Sequence, residues 1–537
     1  MKSQIQKLIR EAIQSAFGID FDADKIKIDY PPEGMGDFAT NVALILAKEA
    51  GKSPMEAAEA LKREIFGHRM SKKDTGCLPI EFEKIEAAKP GFLNFWLVES
   101  LLPYIVVKIN TEKEKFGNSE IGAGKKIHLD FVSANPTGPI HVGNARGGPL
   151  GDTLANVFEK CGYEPFREYY VNDTGNQADI LGHSILGDAE AQYSGEYIEE
   201  LRKRVEKGEP RKVGEKGAEI VLEEIIKPSM EKFGIKFDNY FSERELQKSG
   251  KVDKILEVLN KKGYLHEKEG ATWFKSTEFG DDKDRVVVKS NGEKTYFGTD
   301  IAYHNEKLKR GFDKLIDIWG ADHHGEVKRT HGALKALGHE NKLDVILTQF
   351  VRILKNGEEM KMSKRAGTYV SVDDLIDEVG KDATRFFFLM HSADTHMNFD
   401  MDLAKERSEK NPVYYVQYAH ARICSIFEKA EDANLTFNVR SVLTLNVRNH
   451  AKERALILEL LKFPDLVSEI SQNYAVHYLP QYTIGLADKF HSFYDECRVI
   501  DENNLELTAQ RLELVKAVRI VLKEVLRLMG ISAPDRM

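Results

Sequence analysis

The chain has 537 residues, 30% of them charged and 42% hydrophobic, with a formal net charge of −9 at pH 7. That length is too great for one hydrophobic core and fits roughly two to four domains, and no run approaches the ~18 apolar residues of a membrane span. The acidic balance does not mark a nucleic-acid binder by bulk charge, so any RNA contact has to come from local patches.

In chain order, "MKSQIQKLIREAIQSAF" is an amphipathic helix with Glu11 inside it and lacks the apolar core of a secretory signal. Asp20, Asp22 and Asp24 soon after it disfavour a mitochondrial transit peptide without excluding one. Helical patterns ("NVALILAKEA", "MEAAEALKREIF") and β-prone segments ("IEFEKIEAA", "GFLNFWL") make residues 1–110 a small α+β unit, and the polar "NTEKEKFGNSEIGAGKK" reads as a linker. From about 125 to 400 short apolar strands alternate with helices, the pattern of a doubly wound parallel-sheet (Rossmann-like) fold. Within it, about 175–290 reads as a charged, mostly helical insertion. From 405 to 537 the pattern is helical nearly throughout and predicts an all-α bundle, with as many basic as acidic residues; Gly530 and Pro534 stop its last helix. Cys77, Cys161, Cys424 and Cys497 form no Cys-x-x-Cys pair, so zinc and a disulfide framework are not expected and a reducing, cytoplasmic setting is.

Two segments carry chemistry. "SANPTGPIHVGNARGG", residues 133–148, lies between the strand pattern "KKIHLDFV" and the helical pattern "DTLANVFEKCGY". A strand, a glycine-rich turn and a helix start are where α/β folds bind phosphates, yet this is neither the dinucleotide fingerprint nor the Walker pattern. His141 at the mouth of the turn can donate to phosphate oxygens, and Gly143 lets a flat base approach the backbone. "KMSKRAG", 361–367, brings two lysines at i and i+3, suited to clamping the β- and γ-phosphates of a departing pyrophosphate. Taken alone, the first could be an ordinary βα loop and the second a lysine-rich surface loop; the pair in this order is more specific than either. Pro149 lies inside the predicted helix, which either restarts near Asp152 or has a distorted first turn.

With "HVGN" and "KMSKR" the chain resembles the class I aminoacyl-tRNA synthetases, departing mildly at Asn144 and Arg365. The longer first motif, "NPVYYVQYAHAR", "GADHHG", "DATRFFFLM" (with Thr384 where the family's box has leucine) and the C-terminal "MGISAPDRM" are similar to the arginyl-tRNA synthetase family. The resemblance implies activation of L-arginine by ATP, with Mg²⁺, and transfer to tRNA(Arg). It puts His141, Asn144, Lys361 and Lys364 in catalysis, and Gly138, Gly143, Asn144, Gly320, Asp322 and Met362 at ATP. It assigns the arginine pocket to Asn135, Glu243, Tyr296 and Asp300. Two acids suit a planar, permanently charged guanidinium, and Tyr296 and Asp300, at i and i+4, share one helix face. For tRNA it implies Phe92 and Asn94 at the elbow and Tyr415, Tyr418 and Met537 at the anticodon, where aromatic rings stack on unpaired bases.

Some readings stay open at this level. Phe92, Tyr415 and Tyr418 could be core residues. Asp322, His323 and His324, with His331, could form a metal cluster, although the ribose-side placement of "GADHHG" is preferred and no metal is expected. A monomer without membrane contact is expected. The alternatives to arginine ligation are an adenylyltransferase for a small carboxylic acid, which leaves the helical C-terminal unit unexplained, and a non-catalytic tRNA-binding relative, which has no need of both phosphate motifs.

Overall fold

A computed structural model describes residues 1–67, 80–360, 370–433, 439–445 and 450–537. The N-terminal part packs the helices Lys2–Phe17 and Pro54–Gly67 on a three-stranded antiparallel sheet of β1 (Phe38–Thr40), β2 (Phe82–Ala88) and β3 (Phe92–Leu97), with β3 in the middle. Strict alternation on β3 sends Leu93, Phe95 and Leu97 into the core. The expected linker is partly ordered helix: Leu102–Glu112 runs through its start, and buried Asn110 donates to the backbone carbonyl and Oε2 of Glu513 at 2.9 and 2.6 Å.

The central sheet begins with β4 (Lys126–Asp130), β5 (Glu164–Val171) and β6 (Asn239–Ser242). A small antiparallel sheet of β7 (Leu265–Lys268), β8 (Ala271–Phe274) and β9 (Arg285–Val288) follows. β10 (Lys314–Gly320) and β11 (Leu343–Thr348) then complete the central sheet in the spatial order β11-β10-β4-β5-β6, all parallel. β12 (Val351–Lys355), β13 (Glu358–Glu359) and β14 (Met397–Asp400) make a further small sheet. The strand order reverses between β4 and β10, and ligands of doubly wound sheets bind in the crevice beyond the strand ends at such a point. The stretch expected to be a helical insertion is therefore not all insertion: β6 lies within it and is the edge strand of the central sheet, and β7–β9 lie within it too. A four-residue strand, "NYFS", is too short for its alternation to stand out from helical surroundings.

The C-terminal part is helical, with Pro412–Asp432, Ala451–Asn473, Tyr478–Glu496 and Leu505–Leu528. It docks on both other parts. Asp465 accepts hydrogen bonds from the Met1 amino group at 3.1 Å and the Tyr30 hydroxyl at 2.8 Å, and Arg454 pairs with Asp37 at 2.8 Å. Fully buried Arg385 donates to Asp152 Oδ2 at 2.5 Å, to the Met529 carbonyl at 2.7 Å and to the Phe233 carbonyl at 3.2 Å.

Candidate active site

The loop after β4 turns sharply, with positive φ at Val132 (68°) and Ser133 (39°), and Ser133 Oγ donates to Asp130 Oδ1 at 2.6 Å. Gly138 is buried under Tyr197; a Cβ there would lie 2.8 Å from the phenol ring. His141 caps the helix Val142–Ala145, its Nδ1 accepting the Gly143 N–H at 3.0 Å. With Nδ1 an acceptor, the neutral ring carries its proton on Nε2, the tautomer that can donate to an oxyanion. Asn144 is exposed one turn on, and Asn135 is exposed in the loop.

Pro149 is accommodated in neither of the two expected ways. The helix resumes at Gly147, five residues before Asp152, and Arg146 between the two helices keeps helical angles (φ −56°, ψ −36°). Pro149 falls in the first turn of Gly147–Lys160, where a missing N–H costs least. The helix lies close on the sheet because Gly151 faces the Phe131 ring, which an added Cβ would meet at 2.4 Å.

Lys361, Met362 and Lys364 lie outside the described residues, but both approaches to their segment are placed. β13 ends at Glu359, and Met360 N–H donates to the Ile353 carbonyl at 2.9 Å. On the far side, Val142 N–H donates to the Val370 carbonyl at 3.3 Å and Val372 N–H to the Ile140 carbonyl at 2.8 Å, with His141 bridged to Ser371. The first motif and the chain just after the second, more than 200 residues apart in sequence, thus meet at one antiparallel bridge.

Across the crevice, Glu243 starts a helix just after β6, and Tyr296 and Asp300 lie on the helix Tyr296–Lys309, where their spacing puts both toward Glu243. Burial and the facing Asp300 push the Glu243 carboxyl up to about 7, and burial pushes Asp300 up to about 6. Among the described residues neither acid makes an ion pair. Glu243 is held instead by neutral donors: Gln247 Nε2 at 2.9 Å, the Tyr170 hydroxyl, and Asn172, whose amide nitrogen reaches Oε2 at 3.0 Å when turned toward it. Sequence reasoning missed these three. Gln247 was legible as the i+4 neighbour of Glu243; Tyr170 and Asn172, in "YYVNDTG" at the end of β5, reach it only through the fold.

The pocket helix is anchored from below. Buried Lys307 donates to Asp130 Oδ2 and Asp317 Oδ1, both at 2.9 Å. His304 bridges Asp317 Oδ2 at 2.7 Å and the Asp300 carbonyl at 2.8 Å. Burial raises the Asp317 carboxyl, but Lys307 and His304 pull it well below the ordinary range. Gly320 ends β10 beside the switch point and Asp322 is exposed just beyond it; His323 Nδ1 lies 3.1 Å from Glu326 Oε2, which raises its pKa. Among the described residues, the groups whose ligand atoms lie close enough to hold a metal ion are His420–Cys424–Asp535 and His450–Glu453–Cys497, and neither is in this crevice.

Phe92, 37% exposed, and half-buried Asn94 lie on the outer face of β3, so Phe92 is not a core residue. Tyr415 is partly buried, its hydroxyl donating to Asp488 Oδ1 at 2.7 Å, whereas Tyr418 is 40% exposed with Arg422 over its ring. The terminal segment lies along one stripe of Pro412–Asp432. Gln417 donates to the Ser532 carbonyl at 3.0 Å, His420 Nδ1 meets the Pro534 carbonyl at 2.9 Å, Cys424 Sγ meets Asp535 Oδ1 at 3.3 Å, and Arg536 meets Glu428 at 2.8 Å; Met537 beyond them is exposed.

Three family models match the chain: "Arginyl tRNA synthetase N terminal domain" over residues 3–97, "tRNA synthetases class I (R), catalytic domain" over 106–212 and 200–423, and "DALR anticodon binding domain" over 416–537. An arginine–tRNA ligase of Carboxydothermus hydrogenoformans is 42% identical over 99% of this chain and 97% of its own length, and that of Bacillus subtilis is 43% identical over 100% and 99%. A crystal structure of a putative arginyl-tRNA synthetase from Campylobacter jejuni aligns with TM-score 0.74 at 36% identity, covering 82% of this chain and all of that one. The Thermus thermophilus arginyl-tRNA synthetase, at 21% identity and TM-score 0.77 over both full chains, shares the fold.

Proposed function

Because the chain belongs to the arginyl-tRNA synthetase family, we propose that it activates L-arginine with ATP and transfers it to the 3′ end of tRNA(Arg), and that the residues gathered at the switch point do the work. The observation that carries the choice of amino acid is the pair of buried Glu243 and half-buried Asp300, which face each other with no ion pair to either among the described residues. A guanidinium brings one delocalised positive charge and a planar fork of N–H donors that can reach both acids at once. Lysine offers a point charge in place of the fork, and citrulline leaves the acids unpaired, the costly outcome in a buried site.

In the proposed sequence a carboxylate oxygen of arginine attacks the α-phosphorus of ATP, the bond to the bridging oxygen breaks, and pyrophosphate leaves. Asn135 holds the backbone end of arginine and Tyr296 closes over its side chain. His141 Nε2–H and the Asn144 amide donate to phosphate oxygens, and Lys361 and Lys364 take charge on the departing pyrophosphate. Positioning and charge stabilisation account for this step, with no covalent role for the protein. A ribose hydroxyl of the terminal tRNA nucleotide then attacks the arginyl carbonyl carbon and AMP leaves. Residues 131–151 carry no acidic side chain, so the turn offers donors to phosphate rather than ligands to a cation; Mg²⁺ would arrive on the ATP phosphates and share their charge. Gly138, Gly143, Gly320, Asp322 and Met362 line the adenosine and phosphates, and the parallel-sheet order with its switch point supports that side for the nucleotide.

For tRNA, the exposure of Phe92, Tyr418 and Met537 supports contacts at the elbow and the anticodon, with Asn94 and Tyr415 beside them. The division is into 1–110, 111–404 and 405–537; the matched family segments support three parts in this order, with the catalytic match running past 404 to 423. Among the described residues no helix is long and apolar enough to cross a membrane.

The deciding experiment is ATP–pyrophosphate exchange with each of the twenty amino acids, with and without total tRNA. Exchange with arginine alone is the expected result. Exchange with none, in either condition, would remove the catalytic reading and leave the tRNA-binding one.

A further inference from the structure

One buried cation behind the nucleotide turn has no carboxylate partner. Arg146 immediately follows the helix that His141 caps, and is 1% exposed. Its guanidinium spends itself on three backbone carbonyls: Nη1 donates to Gln349 and Thr395, and Nη2 to Ser392, each at 2.8 Å. Nε has no partner. Burial pulls its pKa down to about 10 against the weak opposing pull of Asp394, whose carboxylate accepts from Ser392 Oγ at 2.6 Å instead. A buried ion that is not neutralised is expensive, so its location calls for a reason.

The three carbonyls belong to two segments that matter together. Gln349 lies between β11, the edge of the central sheet, and β12; Ser392 and Thr395 lie in the turn before β14, and Gln349 N–H is itself bonded to the Ala393 carbonyl at 2.9 Å. β12 pairs with both β14 and β13, and β13 runs directly toward residues 361–364. Five residues separate Arg146 from His141, so a single planar fork ties the first phosphate motif to the base from which the second departs.

We propose that Arg146 is a positioning residue for adenylate formation, fixing the His141–Asn144 turn against the β12–β14 base of the lysine-bearing segment and adding an unneutralised positive charge behind the ATP phosphates. The planar guanidinium is needed because three carbonyls on two chain segments must be reached at once. The assignment rests on the ATP-dependent reading above and adds a residue to it.

The test is steady-state exchange kinetics on the full-length protein, wild type against Arg146→Gln and Arg146→Lys, with arginine and ATP varied separately. Wild-type arginine-dependent exchange has to be present first; its absence would overturn the site reading and this proposal with it. Arg146→Gln is expected to lower kcat/KM for ATP roughly 100-fold, the scale of a misplaced catalytic group, while KM for arginine stays within about twofold. Arg146→Lys keeps the charge without the fork and is expected to recover part of the loss in KM for ATP but not in kcat. Equal losses for ATP and arginine would mean general loosening and would overturn the proposal, as would ATP kinetics indistinguishable from wild type in a variant with unchanged circular dichroism. If Arg146→Gln does not fold, Arg146→Lys decides alone: wild-type kcat with the lysine overturns the need for the fork, and lowered kcat with unchanged KM for arginine supports it.

Discussion

Near neutral pH about half of the Glu243 side chains hold a proton, which a guanidinium must displace. Arginine therefore competes with protons for Glu243 and, lower down, for Asp300. The Michaelis constant for arginine should be flat above about pH 8 and rise as pH falls through 7 and 6, approaching about tenfold per unit for each proton displaced. A constant independent of pH between 5.5 and 8.5 would contradict this. Glu243→Gln should raise that constant roughly 100-fold, for a lost charge-assisted bond of ~3 kcal/mol, and remove the upper step of the profile. The same shifts have a stability sign. Both acids bind protons more tightly folded than unfolded, so their contribution is lost as pH rises from the ordinary carboxyl range through 6 and 7, and bound arginine reverses the loss. Saturating arginine should raise the melting temperature more at pH 8 than at pH 6, measured by scanning fluorimetry. Tyr296 and Asp300 entered the reading through the family resemblance; their spacing of one helical turn added only that they share a helix face. Tyr170 and Asn172 were not legible, because only the pairing of β5 with β6 brings them to Glu243.

At the scale of the element, the helix Tyr296–Lys309 works on two levels: its first turns carry Tyr296 and Asp300 of the proposed arginine pocket, and its last is fixed in the sheet by Lys307. Removing the ammonium leaves Asp130 and Asp317 facing each other in the interior. Lys307→Met should destabilise the fold by about 3–5 kcal/mol, read from urea unfolding, and raise KM for arginine. The terminal segment behaves differently, since its contacts with Gln417, His420, Cys424 and Glu428 are spaced three or four residues apart along one helix and lie partly at the surface. Gln417→Ala should leave kcat for exchange at saturating tRNA unchanged and raise KM for tRNA in charging, a few-fold for ~1 kcal/mol of lost hydrogen bonding. The sequence announced the helix and its stop at Gly530. It did not announce the stripe, because segments more than 100 residues apart in the chain leave no periodicity to read.

The whole molecule shows where composition stops being informative. Alternation and helical periodicity were enough for three parts and a parallel sheet, since those patterns are local. The placement of "NYFS" in the central sheet and the helical start of the supposed linker depend on partners far away, such as β5 and Glu513. The three parts share one continuous apolar core crossed by a few buried polar contacts, of which Arg385, between the central and C-terminal parts, is the densest. Replacing it by methionine should cost about 3 kcal/mol in urea unfolding, because buried Asp152 loses its closer partner and keeps only Arg167, at 3.4 Å. Gly530, at φ 68°, tolerates no side chain beside it, since a Cβ would fall 2.4 Å from the Arg385 guanidinium.

Arg385 also sets an order of events during synthesis. Asp152 meets Arg167 early, at 3.4 Å, but leaves the ribosome more than 200 residues before its closer partner Arg385, which waits a further 144 residues for the Met529 carbonyl. The helix that carries Asp152 therefore has one partner for its acid early and the second late, and the Arg385 knot between the central and C-terminal parts is complete only once the final helix has emerged.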